Sequence, residues 1–134
     1  MQPQEPATPT PYERIGGDAR VRELVDRFYD LMDFEAAYAE LRRAHGSSLE
    51  SAREKLYLFL SGWLGGPPLY VERHGAPMLR RRHLHAPIGD AEAAGWLLCF
   101  QRAWDELIDD PEIAALVMPR VESLAAHMRN VPAP

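Results

Sequence analysis

Gly75-Ala-Pro-Met-Leu-Arg-Arg-Arg-His-Leu-His-Ala-Pro-Ile88 is the stretch that decides the fold. It sets His83 at the end of a short basic segment that Pro87 then stops. The segment predicts a short helix over Met78–His83, reached through an irregular stretch that runs to Ala76. Upstream, a helix-like run carries Phe28 and Tyr29; downstream, another carries Trp96. A long Gly/Pro-rich connection inside a small helical chain is uncommon unless it has a function. A bare four-helix bundle needs no such connection, whereas a helix pair held apart by a flat cofactor does.

The flanking pattern is helical throughout. Val21, Leu24, Val25, Phe28 and Met32 recur at helical spacing behind Gly16-Gly17, with Asp18 as a candidate cap. A shorter piece over about 34–44 ends before His45-Gly46. Ser47 with Glu50 forms a capping-box pattern, and Leu49, Ala52, Leu56, Phe59 and Trp63 line one face behind it. Gly65-Gly66-Pro67-Pro68 stops that helix. Gly89-Asp90 opens the next, with Trp96, Phe100, Ala103 and Leu107 on one side and Leu97, Trp104 and Ile108 on another. Asp110-Pro111 starts a last helix, in which Pro119 predicts a kink. No strand pattern or internal repeat competes, so the class is all-α.

The totals exclude several function classes. The 134 residues suit one domain. Four prolines within residues 1–11 read as a flexible tail, followed by one domain over 12–130 and a short tail at 131–134. Twenty acidic residues against 15 Lys+Arg give a net charge of −5, which speaks against general nucleic-acid binding. The one cysteine, Cys99, forms no intrachain disulfide and suits a reducing compartment. Neither a secretory signal nor a membrane-spanning run is visible, so the expectation is a cytoplasmic chain with no membrane partner.

The candidate chemistry rests on five side chains. His83 reads either as a proximal ligand to haem iron or as a surface histidine beside arginines. Arg80, Arg81 and Arg82 read as a solvated face, or as a source of a guanidinium for a haem propionate, Arg82 being the one assigned. Tyr29 and Trp96 read as core aromatics or as donors to a ligand on iron. His45 reads as an exposed helix end, a third polar group over the ligand, or a sixth iron ligand. Each donor adds about 1 kcal/mol to ligand retention, so two slow release by roughly one to two orders of magnitude. His74, His85 and His127 read as exposed, and Cys99 as a small core residue.

Together these residues resemble the second group of the truncated globins, over roughly residues 12–108. Gly16-Gly17 and Gly65-Gly66 look like the family's paired glycines, and Phe59–Tyr70 is similar to its central segment. The resemblance implies a globin-like two-over-two helical sandwich with extra short helices around haem b. Iron is then held by His83, with Tyr29 and His45 at distal positions and Trp96 at the tryptophan that marks this group. Ala52 falls where many globins have a distal histidine, and Leu56 and Phe59 where the family lines the haem. Ala52 removes a polar gate and shifts ligand control to Tyr29, His45 and Trp96. His85 and Ala86 depart from the proline and phenylalanine common after the proximal histidine. Gly95 beside Trp96 costs up to ~1 kcal/mol of helix stability relative to alanine.

The functional expectation is a haem protein that binds dioxygen, nitric oxide, carbon monoxide or peroxide, as a monomer or homodimer. Nitric oxide detoxification would need a separate, unidentified reductase, since the chain has no room for a flavin domain. The alternatives are a peroxidase-like haem enzyme and a haem-free helical interaction or sensor module.

Overall fold

The computed structural model describes residues 8–45, 48–78 and 88–130. Seven α-helices and one 3₁₀ turn are found among them: α1 (Pro11–Ile15), α2 (Gly17–Phe34), a 3₁₀ turn (Ala36–Tyr38), α3 (Ala39–Ala44), α4 (Glu50–Trp63), α5 (Leu69–His74), α6 (Asp90–Leu107) and α7 (Pro111–His127). The helix expected over Met78–His83, the arginines Arg80–Arg82, His83, His85, Ala86 and the capping residue Ser47 lie outside the described residues.

α2 is the centre of the molecule. Val21, Leu24, Val25, Phe28 and Met32 are at most 2% exposed, as the periodicity predicts. α2 packs against both α4 and α6, α4 packs on α5, and α6 packs on α7. The two long neighbours of α2 therefore share it as a common floor, and their principal contacts are not with each other. This is the two-over-two arrangement.

The chain turns where it does for local reasons. Thr10 caps α1 by accepting from the Glu13 N–H, and Pro11 occupies the first turn. The tail expected over 1–11 therefore gives way to ordered helix at Pro11. Gly16 and Gly17, at φ 123° and 71°, make the corner between α1 and α2. α4 ends in a Schellman motif: Gly66 N–H bonds to Ser61 O at 2.8 Å and Gly65 N–H to Gly62 O at 3.0 Å. The chain then re-enters a helix, α5, where the sequence reads as irregular. Asp110 caps α7 by accepting from Ile113 N–H at 3.1 Å, and Arg14 pairs with the same carboxylate at 2.9 Å. That one side chain ties α1 to the α6–α7 corner. α7 runs unbroken from Pro111 to His127 with Pro119 inside it, so the proline does not end the helix.

Burial on α4 differs from the sequence reading in an informative way. Of the apolar face Leu49, Ala52, Leu56, Phe59 and Trp63, Leu49 is buried, and the other four are half-buried and pack against the core. The fully buried face is Tyr57, Leu60, Ser61 and Leu64, about a quarter-turn around the helix. α4 is apolar on two adjacent faces, and Phe59 on the half-buried one meets Tyr70 of α5 edge-on at 6.4 Å.

Candidate functional site

The aromatic side chains of α2 organise the region. Phe28 is fully buried, with Tyr29 against it edge-on at 4.8 Å, Trp96 of α6 at 5.3 Å and Phe100 at 6.0 Å between ring centroids. Trp96 in turn stacks on Phe100, one helical turn on, at 5.4 Å with 10° between ring planes. His45, the residue that closes α3, meets Tyr29 edge-on at 6.0 Å. Tyr29 and Trp96 thus both meet Phe28, and His45 joins them through Tyr29.

Polar atoms in this cluster are unevenly satisfied. Neither the Tyr29 hydroxyl nor the Trp96 indole N–H has a hydrogen-bond partner among the described residues, although Tyr29 is only 4% exposed. The one fully buried side-chain polar atom without a partner among the described residues is Trp104 Nε1, so the Tyr29 hydroxyl keeps some access and is open to a ligand or water. Burial drives the Tyr29 phenol well above the usual tyrosine range, so it stays a neutral O–H donor at any physiological pH.

His45 has a definite tautomer. Its Nδ1 lies 2.8 Å from the Leu41 carbonyl oxygen. A carbonyl only accepts, so Nδ1 carries the hydrogen and Nε2 of the neutral ring is an acceptor. Neutral His45 can therefore accept from a hydroxyl or coordinate a metal, but it donates through Nε2 only when protonated.

The walls suit a flat apolar group. Ala52, Leu56 and Phe59 from α4 and Trp96 from α6 are all half-buried against the core. Among the described residues no three His, Cys, Asp or Glu side chains converge as metal ligands. Apolar walls with two unpartnered donors between them fit haem and a small polar ligand. His74 and His127 are exposed, as expected. Cys99 is fully buried, with its Sγ 3.3 Å from the Phe28 carbonyl oxygen, and burial pushes its thiol up to about 12.

One group escaped the sequence reading. Arg53, beside Ala52, lies with its guanidinium carbon 5.7 Å from the Tyr29 ring centroid. It pairs with Asp26 at 3.1 Å and Asp30 at 2.7 Å, both on α2. The only sequence signal is the spacing of Asp26, Asp30 and Asp33 along one side of α2.

Comparison with known proteins agrees with this geometry. A family model for bacterial-like globins matches residues 10–130. The group 2 truncated hemoglobin YjbI of Bacillus subtilis is 42% identical over 120 residues, covering 90% of this chain and 88% of that protein. The group II 2-on-2 hemoglobin of Agrobacterium tumefaciens superposes with a TM-score of 0.90 at 52% identity, over 95% of this chain and 98% of that one. The cold-adapted truncated hemoglobin of Pseudoalteromonas haloplanktis TAC125 gives 0.89 at 37% identity, over 92% and 100%. The chain belongs to the bacterial-like globins, among the group II truncated haemoglobins, a family of haem b proteins that bind dioxygen.

Proposed function

We propose that this protein holds haem b through His83 and retains dioxygen with Tyr29 and Trp96 as donors, in the service of nitric oxide removal. The observation that carries the reading is the pair of unpartnered donors, the Tyr29 hydroxyl and the Trp96 N–H, set around Phe28 beside apolar walls. Haem b, when bound, supplies a ferrous iron at which dioxygen and other small ligands bind.

The chain's own residues do the rest. Ala52, Leu56, Phe59 and Trp96 exclude water from the faces of the macrocycle, and Arg82 offers a guanidinium to a propionate. Tyr29 and Trp96 donate hydrogen bonds to the distal ligand, which favours a partly charged oxygen over neutral carbon monoxide. Neutral His45, fixed by Leu41, orients a hydroxyl by accepting from it. Slow release suits turnover better than storage. One nitric oxide and one dioxygen give one nitrate when one electron is supplied, and that electron comes from a separate reductase. The B. subtilis relative, described as oxygen-avid, supports tight retention.

The place of His45, edge-on to the Tyr29 ring, favours a second, peroxidase-like reading, in which the imidazole takes the proton of a peroxide. Peroxide turnover that fails in His45→Ala favours it; turnover unchanged in that variant removes its mechanism.

The deciding experiment is the absorption spectrum of the purified protein, as isolated, reduced, and with carbon monoxide, for the parent and for His83→Ala. A Soret band that shifts with carbon monoxide, and is lost or altered in the variant, is expected. A parent that stays colourless after added haemin overturns the reading and favours a haem-free interaction module.

A further inference from the structure

Tyr29 is flanked by two arginine latches. Asp26, Asp30 and Asp33 form an acidic stripe along α2 at i, i+4 and i+7. From α4, Arg53 Nη1 donates to Asp26 Oδ1 at 3.1 Å and to the Asp26 carbonyl at 3.3 Å, while Nη2 donates to Asp30 Oδ1 at 2.7 Å. From α3, Arg42 Nε donates to Asp33 Oδ1 at 2.9 Å. Tyr29 precedes Asp30 directly, so the site's buried phenol sits at a point where α3 and α4 are both pinned to α2.

Packing alone orients that phenol, because its hydroxyl has no hydrogen-bond partner among the described residues. Phe28 and His45 meet the ring edge-on, and the Arg53 guanidinium stands over it at 5.7 Å, within reach of a cation–π attraction. The planar fork of Arg53 fixes its own place on two carboxylates.

We propose that Arg53 is a positioning residue for the distal site: braced by Asp26 and Asp30, it keeps the Tyr29 ring turned inward, with its hydroxyl on the ligand. This rests on the reading of Tyr29 as a ligand donor. The ion pairs are partly exposed, at 28% for Arg53 against 44% and 65% for its partners, so they contribute little to stability. The latch should show in ligand retention rather than in folding.

The test measures, on the haem-loaded protein, the dioxygen release rate and the C–O stretching frequency of bound carbon monoxide. Parent, Tyr29→Phe, Arg53→Gln, Arg53→Lys, Asp30→Asn and the double variant Tyr29→Phe/Arg53→Gln are compared. Arg53→Gln is expected to speed release about fivefold. It should also move the C–O stretch in the same direction as Tyr29→Phe. Arg53→Lys restores part of both effects, and Asp30→Asn, which leaves Arg53 in place but loosens its brace, reproduces part of them. The double variant should release no faster than Tyr29→Phe alone. If Tyr29→Phe moves both readouts while Arg53→Gln and Asp30→Asn move neither, or if the double variant is additive, the role of Arg53 is wrong and that of Tyr29 stands. If Tyr29→Phe moves neither readout, the reading of Tyr29 fails and the role of Arg53 falls with it.

Discussion

The ring of Tyr12 occupies the place of a side chain on Gly66: a Cβ built there would lie 2.6 Å from Tyr12 Cγ and Cδ2. Tyr12 N–H also bonds to the Leu64 carbonyl at 2.9 Å, so α1 docks directly on the end of α4. The demand at Gly66 is for close approach, since its backbone is not in the left-handed region. Gly66→Ala should therefore destabilise the protein by about 1–3 kcal/mol, measured by chemical denaturation. In a Tyr12→Ala background the same change should cost little. Equal losses in both backgrounds would refute the contact as the cause.

Cys99 should be inert in the folded protein. It is fully buried beside the Phe28 carbonyl, and its thiol titrates near 12. Thiolate is the reactive form, so almost none exists at pH 8. Iodoacetamide labelling followed by mass spectrometry should show modification only after denaturant is added. Rapid labelling of the native protein would contradict the burial.

Acid should weaken the junction between α2 and α6. The Arg27 guanidinium hydrogen-bonded to Glu106 holds its carboxyl below the usual 4.5, with Arg102 adding to the effect. A carboxyl with a lower pKa in the folded state lends stability that is present above about pH 4.5. That stability is lost as the pH falls through the folded value. Glu106→Gln should lower the urea midpoint slightly near pH 7 and flatten this part of the acid limb, the two proteins converging at low pH. An unchanged acid limb would show that the pair is too well solvated to matter.

The legible part of the molecule was whatever local chemistry settles. Gly16-Gly17, Gly65-Gly66 and Asp110-Pro111 marked real corners, because positive φ and capping are properties of a few adjacent residues. The α2 stripe marked the core, because one periodicity explains it. α4 was harder: Leu49, Ala52, Leu56, Phe59 and Trp63 read as one apolar face, yet the buried residues of the helix are Tyr57, Leu58, Leu60 and Ser61. Periodicity finds apolar faces but does not say which of two meets protein. α5 was missed because Pro67-Pro68 reads as a stop, whereas here it precedes a new first turn. The juxtaposition of Tyr29, His45 and Trp96 came from resemblance to a family, since no spacing along the chain implies it. Arg53 belongs to no local motif. Its partners lie 23 and 27 residues away on another helix, and only the fold brings them together.

Phe28 and Tyr29 are neighbours in sequence, yet truncating them should have opposite consequences. Phe28 is fully buried and touches Tyr29, Trp96 and Phe100, so Phe28→Ala removes a packed ring and should cost about 3–5 kcal/mol. Tyr29→Phe keeps the ring and removes a hydroxyl with no partner among the described residues. It should leave stability unchanged or raise it by up to about 1 kcal/mol. Dioxygen release should nonetheless quicken by about fivefold to tenfold, the loss expected for one hydrogen bond to the ligand. Urea denaturation and stopped-flow release on the same samples check both statements. A hydroxyl kept for the fold would lower stability when lost and leave release untouched; one kept for the ligand does the reverse.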